Sequence, residues 1–155
     1  MNREFLREAI RLSIEKSQAG EGGPFGAVVV QNDTVVGRGW NRVVSTNDPT
    51  AHAEIMAIRA ACRRLGTFSL AGCDIYASCE PCPMCLAAIY WARLDRVYYA
   101  AGRQDAAAVG FDDSRIYQEL AMNVADRSIP MAQDLHDEAC EAFRAWLLKA
   151  DRTPY

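Results

Sequence analysis

Ser78-Cys79-Glu80-Pro81-Cys82-Pro83-Met84-Cys85 sets its last two thiols three residues apart, a spacing that puts both sulfurs on one face of a helix. A second stretch, Thr50-Ala51-His52-Ala53-Glu54, offers an imidazole and, two positions on, a carboxylate. Thiolates and imidazole are zinc donors, and a Cys2His set leaves a fourth tetrahedral position for water, as catalytic zinc requires. His52, Cys82 and Cys85 are therefore the expected ligands of one Zn2+ per chain. Proline is tolerated in a first helical turn, where the positive end of the helix dipole favours thiolate over thiol. Glu54 lies about 200° around an ideal helix from His52, so it approaches the ion only at the helix end. A carboxylate held there without ligating can take a proton from metal-acidified water and deliver it to a leaving group.

Two other uses of the cysteines stay open. A Cys-x-x-Cys pair can be a redox couple, although that chemistry has no need of His52 and Glu54. Recruitment of Cys79 as a fourth ligand would close the site into a structural Cys3His centre, as in a zinc-stabilised interaction protein without catalysis. Cys79 ends a strand and is expected to point elsewhere. Cys62, Cys73 and Cys140 read as small core hydrophobes.

The elements that must carry these residues follow from periodicity. Phe5, Leu6, Ala9, Ile10 and Ile14 have helical spacing over residues 2–19, and Gly20-Glu21-Gly22-Gly23-Pro24 ends the pattern. Two β-rich segments, 25–30 and 35–40, flank the polar turn 31–34 and predict an antiparallel hairpin. Residues 42–49 read as an irregular loop, and Thr50 as the N-cap of a helix to Leu65 stopped by Gly66. A strand at 73–77, a helix from Pro81 or Pro83 through Trp91 and a strand at 96–101 predict a right-handed parallel crossover. Residues 105–120 read as a loop with short helical pieces, 128–133 as a last strand and 137–149 as an amphipathic helix. The expected class is α/β: a three-layer α/β/α domain over residues 1–155, with one mixed five-stranded sheet and helices on both faces.

The chain has 155 residues, a net charge of −3 and six cysteines. That size suits one soluble domain. Charges scattered through the first sixteen residues predict no signal or transit peptide, no apolar run is long enough to span a membrane, and a cytoplasmic location with reduced thiols is expected. The acidic balance argues against a nucleic-acid partner. Arg3, Arg7 and Arg11 alternate with Glu4, Glu8 and Glu15, which predicts a solvated, salt-bridged helix face.

His52-Ala53-Glu54 together with Pro81-Cys82-x-x-Cys85 resembles the H-x-E and P-C-x-x-C signature of the zinc-dependent cytidine and deoxycytidylate deaminase superfamily. The resemblance extends through Gly23-Pro24-Phe25-Gly26-Ala27 and Asn47-Asp48-Pro49-Thr50-Ala51 and implies the cytidine-deaminase-like fold. Within the superfamily, Cys82-Pro-Met-Cys-Leu-Ala-Ala-Ile-Tyr-Trp91, Gly110-Phe111-Asp112-Asp113-Ser114 and the terminal Tyr155 are most similar to the bacterial guanine deaminases. That likeness implies hydrolysis of a small purine, guanine, to xanthine and ammonia, with Glu54 and Asp113 as proton carriers. It makes Phe25, Asn41, Ala53, Trp91 and Tyr155 substrate contacts. It also implies a homodimer that exchanges C-terminal segments, from about residue 137 to 155. The alternatives within the superfamily are a tRNA adenosine deaminase and a deaminase of cytosine or another amino-heterocycle.

Overall fold

The computed structural model describes residues 1–154, which group into two compact units, residues 1–114 and 115–154. Tyr155, expected to touch substrate, lies outside the described residues.

The first unit is built on a sheet of strand order β2-β1-β3-β4. Helix α1 (Arg3–Gln18) precedes the hairpin of β1 (Gly26–Gln31) and β2 (Thr34–Trp40). Its turn is the residue pair Asn32-Asp33, at φ 48° and 55°, the doubly positive geometry that matches strand twist in two-residue hairpins. The ladder skips Val36 between Val29↔Gly37 and Val30↔Val35, a bulge within the hairpin. The supposed loop after β2 contains a short helix, α2 (Val43–Thr46), closed by Asn47 in the left-handed region. Next come α3 (Ala53–Leu65), β3 (Cys73–Cys79), α4 (Pro83–Trp91), β4 (Arg96–Ala101) and α5 (Arg103–Ala108). Strand β3 pairs antiparallel with β1 and parallel with β4, so β3-α4-β4 is a crossover unit.

Alternation along the strands separates two apolar layers. Val28, Val30 and Tyr76 pack with Leu12, Phe5 and Leu6 of α1. Ala27, Val29, Ile75 and Ala77 face the opposite way, against Ala53, Ala57 and Ala61 of α3 and Ile89 of α4. The expected α/β/α layering is present. On α1, Arg7 pairs with Glu4 and Arg11 with Glu15, leaving a charged face in water.

Helix α3 lies close on β2 because two glycines leave room for it. A Cβ at Gly37 would stand 2.4 Å from the Ala57 carbonyl oxygen, and one at Gly39 would stand 2.1 Å from that of Ala53. Both obstacles are backbone, so neither can swing aside.

The second unit holds nearly all of α6 (Ser114–Ala121), a 3-10 turn (Val124–Asp126) and α7 (His136–Leu148). The strand expected at 128–133 does not form, so the described sheet has four strands and not five. Ser128 gives its backbone N–H to Glu119 Oε2 at 2.9 Å, and Pro130 has no N–H to give. Among the described residues, no helix is long and apolar enough to cross a membrane.

Replacing Gly39 by alanine forces the N-terminal end of α3 off the sheet, an overpacking cost of about 1–3 kcal/mol or more. Chemical denaturation should report that loss, and zinc per chain should fall with it. Unchanged stability and zinc content would contradict the close packing.

Candidate metal centre and active site

His52 and Cys82 occupy equivalent places: each is the N-cap of its helix, extended at φ −70°, ψ 158° and φ −65°, ψ 168° respectively. Neither side chain caps its helix. Thr50, expected to cap α3, instead donates its hydroxyl to Asp48 Oδ1 at 2.6 Å. The N-cap of α3 therefore falls two residues later than expected, at His52, whose imidazole stays free of the helix backbone. At α4 the first helical residue is Pro83, whose missing N–H costs nothing there.

The imidazole Nδ1 lies 3.5 Å from Cys82 Sγ and 3.6 Å from Cys85 Sγ. A tetrahedral zinc with ordinary Zn–N and Zn–S bonds separates such donors by about 3.6 Å, so the group fits zinc without rearrangement. The three ligand atoms lie within 4.8 Å of one another, and Cys79 is not among them. Its sulfur is directed to the Gly102 carbonyl at 3.7 Å. Three donors from two helix N-termini make an open site and not a closed structural one.

Glu54 is buried in the first turn of α3, with Oε2 3.4 Å from Cys85 Sγ. Burial is the main cause that raises its pKa, and the Cys82 thiolate adds to it. A carboxyl so placed is a poor permanent anion and a good proton carrier. Cys82 is held at a pKa of about 4, first by the hydrogen bond from the Cys85 thiol and then by His52. The Cys85 thiol is pushed far up by the same bond and by burial. The His52 pKa is raised, chiefly by its bond to Cys82.

The other expected site residues divide into two groups. Asn41 is buried, and its Oδ1 accepts from the backbone N–H groups of Gly23 and Val43, each at 3.2 Å. The amide is thus fixed with its Nδ2–H2 turned away from those partners. Phe25 is partly buried and meets the edge of Phe111 at 4.9 Å between centroids. Ala53 is the first residue of α3, buried, with a first-turn N–H that has no intrahelical partner. Asp113 has its pKa raised by burial and then by the Cys82 thiolate. Trp91, by contrast, is 66% exposed at the far end of α4, nine residues and roughly 13 Å along the helix from Cys82. Its position does not bring it to the metal ligands within one chain.

Two contributors go unassigned in the sequence reading. Phe111 walls Phe25, and its place two residues before Asp113 is the only signal for it. Ser78 is buried and accepts the Gly26 N–H at 3.0 Å, tying the strand that leads into the cysteines to the strand that follows Phe25.

Residues 1–101 match the cytidine and deoxycytidylate deaminase zinc-binding region. The chain belongs to that deaminase family. This deaminase is 51% identical to the guanine deaminase of Bacillus subtilis over the full length of both chains. The crystal structure of guanine deaminase from Bacillus subtilis superposes with a TM-score of 0.96, covering 100% of this chain and 99% of that one. A tRNA-specific adenosine deaminase of Agrobacterium fabrum is 48% identical over 98 residues, 62% of this deaminase and 64% of the relative.

With zinc removed by a chelator, alkylation of Cys82 by iodoacetamide should hold its rate from pH 8 down to about 5, then drop tenfold per unit below about 4. An ordinary thiol would lose rate throughout that range. Added zinc should protect Cys82. Peptide mass mapping across pH checks both; thiol-like behaviour or no protection would contradict the geometry.

Proposed function

We infer that the chain hydrolyses guanine to xanthine and ammonia. The observation that carries the reading is the extent of the likeness to the Bacillus subtilis guanine deaminase, which runs through all of both chains and through the whole fold. The likeness to the tRNA-specific adenosine deaminase of Agrobacterium fabrum covers 98 residues. The net charge of −3 also suits a small neutral purine better than an anionic tRNA loop.

In this reading His52, Cys82 and Cys85 hold one zinc ion, and zinc there supplies a Lewis acid that polarises and acidifies water. Glu54 accepts the proton of the attacking water and passes it to the ring nitrogen beside the carbon that bears the exocyclic amine. The carboxylate then takes the second proton of that same water, from the hydroxyl now on the carbon, and with Asp113 delivers it to the departing amine. Water is consumed and ammonia released, and Glu54 ends as it began. The raised pKa of Glu54 suits this shuttle, because a carrier works best when its pKa approaches the working pH. The orphan N–H groups opening α3, Ala53's among them, and the Asn41 amide face the purine, whose flat apolar surface lies against Phe25.

We also propose a homodimer in the cytoplasm. None of the six cysteines is joined in a disulfide, as a reducing compartment maintains. The second unit supports exchange of the segment from about residue 137. Neither α6 nor α7 has a buried residue, and Phe143, Leu147 and Leu148 are 69%, 65% and 85% exposed. Such apolar area calls for a covering surface. Tyr155 and Trp91 are the substrate contacts that the dimer would complete.

Ammonia release from guanine, cytosine, adenine, cytidine and a tRNA anticodon stem-loop, with and without a chelator, tests the assignment. Guanine should lead and the chelator should abolish turnover; a leading tRNA substrate would overturn the substrate. Glu54→Gln should keep zinc while kcat falls roughly 10²–10⁴-fold. Truncation after Ala150 should raise KM for guanine with zinc content unchanged, and an unaltered KM would remove Tyr155 from the site.

A further inference from the structure

The loop joining α1 to β1 lies against Asn41 and runs into Phe25, the two residues given purine contacts above. Helix α1 closes with Gly20 N–H on the Ser17 carbonyl and Glu21 N–H on that of Lys16, each at 3.0 Å. Glu21 then uses both carboxylate oxygens. Oε1 accepts from Lys16 Nζ at 3.0 Å and Oε2 from the Trp40 indole N–H at 2.7 Å. The same ammonium lies 4.3 Å from the centroid of the Trp40 ring. Trp40 closes β2, and Asn41 follows it directly.

The next residues of the loop are fitted to Asn41. A Cβ on Gly22 would stand 2.0 Å from the Asn41 carbonyl oxygen, so the two backbones are in close contact. Gly23 N–H donates to Asn41 Oδ1, and Asn41 N–H donates to the Phe25 carbonyl at 3.0 Å. One end of this lacing is the Asn41 amide and Phe25. The other end is Glu21, an acceptor able to serve an ammonium and an indole N–H at once.

We propose that Glu21 is a positioning residue for the purine, holding the α1–β1 loop on Trp40 and Lys16 so that the Asn41 amide and Phe25 keep their orientation. This inference rests on the substrate roles given above to Asn41 and Phe25. The metal ligands and Glu54 are placed by α3 and α4, whose starts Glu21 does not touch. Its loss therefore acts on substrate binding and not on the proton transfers.

The test uses the zinc-loaded full chain. Glu21→Ala should raise KM for guanine about 5- to 20-fold with kcat within about twofold and one zinc per chain retained. Glu21→Gln keeps a carbonyl acceptor for the indole and should return KM to within about threefold of the parent, whereas Trp40→Phe, which keeps an aromatic ring, smaller than the indole, and loses the donor, should reproduce the alanine defect. Hydrogen exchange at the Gly23 amide reads the tie without any substrate, and in Glu21→Ala it should quicken at least about tenfold. Unchanged exchange, unchanged KM despite faster exchange, or kcat, zinc and melting temperature falling together in both Glu21 variants would each overturn the proposal. A parent chain that fails to turn over guanine would overturn the substrate reading instead, and the wild-type assay shows that before any variant is compared.

Discussion

Two helices that begin at the same place, each giving up its cap, are what the rest of this protein is arranged around. Ser, Thr, Asp and Asn are the side chains that ordinarily close a helix N-terminus, and their loss costs about 1 kcal/mol each. Here the cap positions belong to His52 and Cys82, which bond toward each other across 3.5 Å and leave the first-turn N–H groups uncapped by them. Two positive helix ends directed at one point favour thiolate at Cys82 and, by the same field, a metal held by anionic sulfur. Glu54 is brought into that point by its place in the first turn of α3, and burial keeps it from settling as a permanent anion.

Convergence of this kind depends on the sheet beneath. The β3-α4-β4 crossover delivers the cysteines at the C-terminal end of β3, and the hairpin delivers Phe25 and Asn41 at the ends of β1 and β2. Ser78 bonds the two deliveries together through Gly26. The core supporting them is divided by strand alternation. α1 meets Val28, Val30 and Tyr76, while α3 brings Ala53, Ala57 and Ala61 against the layer of Ala27, Val29, Ile75 and Ala77 and lies close over Gly37 and Gly39. A glycine lets each helix come close: Gly37 and Gly39 under α3, and Gly26 under α1, where a Cβ would stand 2.3 Å from the Ala9 carbonyl oxygen.

Much of this was legible in the sequence, for identifiable reasons. The metal ligands and Glu54 were readable because their spacing has few uses other than a metal centre, and the hairpin, α1, α4 and β4 because their periodicities are unmixed. Thr50, a residue whose type favours caps, is the expected N-cap of α3. Asp48 claims that hydroxyl, and no local pattern reveals the competition. The strand expected at 128–133 does not form; Glu119 takes the Ser128 N–H and Pro130 has none, so two donors of that segment are lost to any ladder. The neighbourhood of Phe25 and Asn41 was the least readable part. Phe111 against Phe25 and Glu21 against Trp40 are contacts between segments far apart in the chain, set by the fold and by no spacing.

The glycine pair under α3 also bears on how this protein can change. Exchanging glycine for alanine elsewhere is a common route to a sturdier protein, since it narrows the freedom of the unfolded chain. At Gly37 and Gly39 that route is shut, because the added methyl would press on main-chain oxygens of the helix that begins at the imidazole. Gly26, under α1 on the opposite face, is shut in the same way at 2.3 Å from the Ala9 carbonyl oxygen, so sturdiness gained by this route has to come from positions away from the helix–sheet contacts.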